Sequence, residues 1–383
     1  MSNKLWLLIS LILVVIIVWQ KSFISSMPLQ TFMEESTVLQ KQGDTPNVPE
    51  AMLTAPINHS MLDEAKEPKN LQTNQQTVTQ QCAFPEFSDE ERDKHYATID
   101  SFIQELLSSP DVIQQRFAYL FASNKLKEVS PHHKRLFLSA YLEQAPNDKL
   151  AVQALLDVCF NLPNDDDCGE DISQFIESAD NENGVLWLQH AANMLKQEKL
   201  HAFDQFFTIA ASKQNFDEYF FDTIQTFLNN TVGYVDSSFN QLAITATGYA
   251  AARPLLFANV MELCRNDDKY KEQCFNVFDA MRKYGSSVNL KSMGSGMLQD
   301  HYKDEKDTEA VNALVIESQL LYDKLYSQDF INTQALFTHD QELMRTWLET
   351  GKQFGEEAAT VAMLEEAKLK SLNPDYNPCP ESP

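Results

Sequence analysis

The residues best placed to do chemistry are cysteines set among acids. "CFNLPNDDDCGED" runs from Cys159 to Asp171, and a looser copy, "CRNDDKYKEQC", spans Cys264 to Cys274. Three chemistries compete for such a turn: a metal site, a reactive thiol and a disulfide. A calcium loop needs a glycine at its sixth position and a bidentate glutamate at its twelfth. Counted from Asn164, Asp166, Cys168 and Gly169 fall in register, but Phe175 holds the twelfth place. Zinc would require two further thiols or imidazoles, and the stretch has none. A nucleophilic thiol needs a nearby cation to lower its pKa, and no cation lies close in sequence to the Cys159 turn. The pattern therefore predicts disulfides Cys159–Cys168 and Cys264–Cys274, each across a helix-to-helix turn where Cα atoms approach within bonding reach. Cys82 and Cys379 are left, one at each end of the folded region, and their pairing would clasp its termini.

Other catalytic signatures fail. His190 and His201 are too far apart for H-E-x-x-H, and His132-His133 follows a helix-start proline, where exposure is expected. Gly294-Ser295-Gly296 lacks the flanks of a nucleophile elbow, and Gln299 breaks a G-x-G-x-x-G spacing. No cofactor or metal is implied. The 55 acidic against 30 basic residues give a net charge of −25. A surface that acidic repels phosphate backbones, which excludes nucleic acid as a partner.

The elements that position these residues begin with "MSNKLWLLISLILVVIIVWQK", residues 1–21. Leu5 to Trp19 is apolar apart from Ser10, with Trp6 and Trp19 at its ends and Lys4 and Lys21 outside them. This reads as a single transmembrane signal anchor; a cleaved signal peptide is the alternative. Either delivers the rest of the chain across a membrane. The orientation expected is N-terminus cytoplasmic and main domain periplasmic, in a bacterial inner membrane. Residues 22–81 are rich in Gln, Thr, Asn and Pro without sustained periodicity, a disordered tether with an end-to-end distance on the order of 40 Å.

From there the period is helical. Ser88 and Glu91 form a capping box ahead of Ile99, Phe102, Ile103 and Leu106. "SPDV" and "SPHH" read as serine caps followed by proline at the first helical position. The fold class expected is all-α: antiparallel helical hairpins stacked as an irregular α-solenoid or bundle. Residues 82–284 form the helical-repeat domain. Residues 285–307 are expected to be a long loop, because three of the ten glycines and several serines fall there. Residues 308–383 form a C-terminal helical subdomain of two helices and a proline-rich tail.

"APNDKLAVQALL" at Ala145 and "ADNENGVLWLQHAA" at Ala179 begin one repeat length apart. The second unit resembles tetratricopeptide-type hairpins at Trp187, Ala191, Met194, Phe207 and Ala210. It departs from that family at His190, where Leu is usual, and at Phe203, where Ala is usual. The preceding unit keeps Leu156 and Phe160 but has Asp157 and Ser173 at packing positions.

The aromatics Phe203, Phe206, Phe207, Phe220, Phe221 and Phe227 recur at helical spacing, and core packing is the favoured reading. The sharper reading sets Trp187, Phe203, Phe207, Tyr219 and Phe220 along a groove for a protein or peptide partner, since repeat arrays bind through concave faces. The functional expectation is a non-catalytic protein-interaction module of the envelope: a scaffold, adaptor or chaperone-like unit. The alternative is a hydrolase-type envelope enzyme whose dispersed carboxylates lie under a lid at 284–301.

Overall fold

A computed structural model describes residues 82, 88–122, 129–162, 168–253, 255–325 and 327–379, all within one compact unit, Thr73–Pro383. The anchor expected at 1–21 and the tether expected at 22–81 lie outside the described residues. No described helix is long and apolar enough to cross a membrane. Among the described residues the chain is all-α: sixteen α-helices, two 3-10 turns and no strand.

Local signals start the helices. At α1 (Asp89–Leu107) the Ser88 hydroxyl accepts the Glu91 amide at 3.2 Å, and the Glu91 carboxylate accepts the Ser88 amide at 2.8 Å. Helix α2 (Val112–Phe121) starts later than the serine–proline pair suggested. Asp111 is its cap, taking the Ile113 amide at 2.8 Å, and Pro110 stands outside. Helix α3 (Pro131–Gln144) does open on proline after a Ser130 cap, and Asp148 caps α4 (Lys149–Phe160). Next come α5 (Ser173–Asp180), α6 (Gly184–Lys196), α7 (Leu200–Ala211), α8 (Phe220–Thr231), α9 (Phe239–Ala251), α10 (Ala258–Asn266) and α11 (Lys271–Tyr284).

Residues 285–307 are not a loop. Val288–Asp304 is helix α12, capped by Ser287, which accepts the Leu290 amide. Its glycines serve packing rather than mobility. A Cβ on Gly294 would stand 2.5 Å from the Phe278 carbonyl and 2.6 Å from the Arg282 amide, so α11 and α12 meet backbone to backbone there. Gly248, by contrast, has nothing within 4 Å of its Cβ position, so α9 makes no close approach there.

The C-terminal region holds four helices rather than two: α13 (Thr308–Leu325), α14 (Gln328–Phe337), α15 (Gln341–Phe354) and α16 (Glu356–Ser371). Gly355, at φ +84°, breaks what reads as one helix from Asp340 to Leu369. Nor is the region a separate subdomain. Phe330, Trp347 and Met363 share one apolar core with Ile99, Phe117, Phe227 and Leu242, from α1, α2, α8 and α9. The other large core joins α3–α7 to α10–α12. Consecutive helices pack as pairs, α1 on α2, α3 on α4, α6 on α7, α8 on α9, α11 on α12 and α15 on α16.

All six cysteines are bonded as the spacing predicts: Cys159–Cys168, Cys264–Cys274 and Cys82–Cys379. The last closes a separation of 297 residues and seats Cys82 against Ala335, Leu336, Leu343 and Ala367.

Candidate functional site

The aromatic groove expected at Trp187, Phe203, Phe207 and Tyr219 does not exist. All four are no more than 1% exposed and belong to the core, where Phe203 and Phe207 meet Tyr270 edge-on. Helical spacing places a side chain on a face without saying whether that face is open or covered, and here α6, α10 and α11 cover it. Phe220 is half-buried and stands perpendicular to Trp347 at 6.0 Å.

Two other features converge polar or apolar groups. The first is a seam where four inter-helix turns lie side by side. The Gly184 amide donates to the Asn215 carbonyl at 2.7 Å, and the Ser286 amide to Phe216 at 2.8 Å. The Glu356 amide then donates to Ser286 at 2.7 Å. These bonds tie the turns ahead of α6, α8, α12 and α16. Asn183 reinforces them, giving its side-chain N–H to the Asp217 carbonyl at 2.8 Å and accepting the Asp217 amide at 3.1 Å.

Three carboxyl groups sit in this seam. Asp217 accepts the Tyr219 amide and the Ser286 hydroxyl, both at 2.9 Å, and Glu356 accepts the Val288 amide at 2.8 Å. One Glu218 oxygen is sealed from solvent with no partner. Burial raises all three above the ordinary carboxylate range, Glu218 to about 8. Tyr219 holds left-handed backbone at φ +58°, uncommon for a bulky residue, and gives its hydroxyl to Asp180 at 2.7 Å. A polar path leads inward: Gln153 donates to the Glu218 carbonyl and accepts from Arg253, which also faces Asp157 at 3.4 Å. Burial lifts Asp157 to about 6 and lowers Lys134, beside it, to about 8.

The second feature is an open trough of about 720 Å³ among α11, α12, α13 and the start of α16. Its apolar wall is Ile316 and Leu320 on α13, 60% and 64% exposed. Its rim carries Arg282, Lys283 and Lys291 against Glu317 and Glu357. A smaller hollow of about 320 Å³ lies by the Cys264–Cys274 bond, where Arg265 pairs with Asp300 at 3.1 Å. Neither hollow is lined by Asp217, Glu218 or Glu356. Among the described residues no group of three or more His, Cys, Asp or Glu side chains has the geometry to hold a metal ion.

Sequence reading missed both features. The seam gathers acids from turns distant in the chain and has no local signature. The trough had one: "AVNALVIESQLL" is apolar on two faces, Val311 and Leu314 inward, Ile316 and Leu320 outward. Comparison with known proteins adds no family: no family model, no curated protein and no solved structure matches this chain.

Proposed function

We propose that the chain is a non-catalytic protein-binding module of a bacterial envelope, anchored in the inner membrane by residues 1–21, with its domain in the periplasm. Three disulfides in an acidic domain behind an apolar leader support that compartment. The hairpins form a degenerate tetratricopeptide-like array. One observation carries the binding role: α13 packs on α12 through one face and leaves Ile316 and Leu320 open on the other. A helix apolar on both sides is a helix built to be covered.

The occupant we assign is an apolar helical segment of another envelope protein, bound in the helix-in-groove manner. A second copy of this chain fits worse, since two bodies of net charge −25 repel. The trough itself lacks the general acidity, because its cations are balanced, Arg282 and Lys283 by Asp279 and Glu317 and Lys291 by Glu357. It admits an apolar stripe flanked by neutral polar residues.

A photo-crosslinking residue at Leu320 of the full-length protein, in its native envelope, tests this. Support is a crosslink that maps to one apolar helical segment of a partner and disappears with Ile316→Glu. Labelling no greater than at Tyr234, a control site 75% exposed, refutes it, and so does an adduct with a second copy.

The hydrolase reading has one observation in its favour, the raised carboxyl groups of the seam beside residues 284–288. Its lid is instead helix α12, and its acids line neither hollow.

A further inference from the structure

We infer that the Asp217–Glu218–Glu356 cluster is a proton-held latch, closing the seam between the turn ahead of α8 and the turns ahead of α12 and α16 while Glu218 is neutral, and loosening it when Glu218 ionises. The geometry leaves a charged Glu218 without compensation. One of its oxygens is buried with no partner. The only groups that favour its charge are two neutral donors, the Ser287 hydroxyl, whose oxygen also caps the Leu290 amide, and its own backbone, with no cation among them. A buried carboxylate in that position is costly, whereas a neutral carboxylic acid carries no net charge to solvate.

The charged neighbours do not relieve it. On its own turn stand Asp217 and, one helical turn on, Asp222. From α16 come Glu356 and Glu357, and from α5 Asp180, which is occupied by Tyr219. The cations nearby are committed elsewhere. Lys149 of α4 and Lys352 of α15 both pair with Asp222, at 2.8 and 3.1 Å, and Lys291 of α12 pairs with Glu357 at 3.3 Å. Arg253 reaches the turn only through Gln153. Ionised Glu218 therefore adds a third negative charge beside Asp217 and Glu356. The bonds exposed to that repulsion are Ser286 amide to Phe216, Glu356 amide to Ser286 and Val288 amide to Glu356.

The direction follows from the shift. Glu218 binds its proton up to about pH 8 when folded, against 4.5 for an ordinary glutamate. Between those values the folded state holds a proton that the unfolded state has lost, so the contribution is full below about 4.5 and declines as pH rises towards 8.

Hydrogen exchange on the full-length, oxidised protein tests the latch, with rates corrected for the intrinsic effect of pH. In the wild type, peptides covering 284–288 and 355–358 are expected to lose at least about ten-fold protection between pH 6 and pH 9. The α6–α7 hairpin is expected to keep its protection. Glu218→Gln, which keeps the shape and cannot ionise, is expected to hold the seam closed across the range. Equal loss in wild type and Glu218→Gln overturns the proposal, as does a wild-type seam indifferent to pH. Should that variant fail to fold, carboxyl NMR of the wild type decides: a Glu218 midpoint above pH 7 supports the latch, and one in the ordinary glutamate range overturns it.

Discussion

The ring of Phe221, on α8, occupies the space where Gly351, on α15, would carry a side chain. A Cβ at Gly351 would stand 2.3 Å from Phe221 Cε1. The glycine thus sets the distance at which the α15–α16 hairpin docks on the N-terminal half, with Trp347 meeting the same ring edge-on at 4.9 Å. Gly351→Ala raises intrinsic helix propensity, yet it is expected to destabilise by about 1–3 kcal/mol through overpacking. Urea unfolding monitored by tryptophan fluorescence checks the sign; a stabilised variant contradicts the docking geometry.

His190 is fully buried on α6 with its ring 4.2 Å from that of Phe206. The Glu170 backbone lies near it without completing a hydrogen bond, and both ring nitrogens are left without partners. Burial lowers its pKa to about 3. A histidine depressed when folded contributes stability above its unfolded value near 6.5 and loses it as pH falls towards 3, by up to about 1.4 kcal/mol per unit. His190→Leu is expected to raise stability by about 1–3 kcal/mol at pH 7, because it removes a buried polar group with no partner. It is also expected to flatten the acid limb of the stability profile. Parallel acid limbs in the two proteins would show that His190 does not titrate on unfolding.

Legibility divided along the range of the interactions. The Ser88–Glu91 capping box and Pro131 at a helix start are fixed within a turn of chain, so residue types alone reveal them. The two short disulfides follow from cysteines set across helix-hairpin turns. Residues 285–307 misled because Gly294 reads as freedom when its neighbours are unknown; with Phe278 and Arg282 against it, the same glycine is a contact. The Trp187–Phe207 set misled for a related reason, since periodicity gives a face but not what lies over it. The seam was out of reach altogether. Asp217, Glu218 and Glu356 become neighbours only through the backbone bonds that Phe216, Ser286 and Glu356 make.

The three disulfides differ in what they close. Cys264–Cys274 spans 10 residues, and Cys82–Cys379 spans 297. In the chain-entropy account the short loop contributes about 3 kcal/mol and the long one about 6 kcal/mol. The double serine variant of Cys82 and Cys379 is therefore expected to lose more stability than that of Cys264 and Cys274, both measured by urea unfolding. It also frees Cys82 from its packing against Leu336 and Leu343, so protection in α14 and α15 is expected to fall first. An equal or smaller loss than in the Cys264 pair would mean that the unfolded chain does not gain the freedom assumed. Alkylation of protein taken from its native compartment is expected to label no cysteine before reduction.

Arg253 and Asp157 form the most enclosed ion pair of the inner polar path, with side chains 15% and 19% exposed. Removing one partner leaves the other charge buried, so Arg253→Ala is expected to cost about 3 kcal/mol or more. The loss includes the hydrogen bonds from its guanidinium to Gln153 at 2.7 Å and Thr223 at 3.3 Å. Replacing both members together, Arg253→Met with Asp157→Leu, removes the uncompensated charge and is expected to recover much of that loss. Lys134 stands next to Asp157, and its ammonium is already depressed to about 8, chiefly by burial. The double variant removes both the carboxylate that raises it and the Arg253 charge that lowers it, the latter the larger effect, so Lys134 is expected to titrate no lower than before. A double-mutant cycle in urea separates these contributions. Strict additivity of the two substitutions would show that Arg253 is held by Gln153 and Thr223 and that its pairing with Asp157 is incidental.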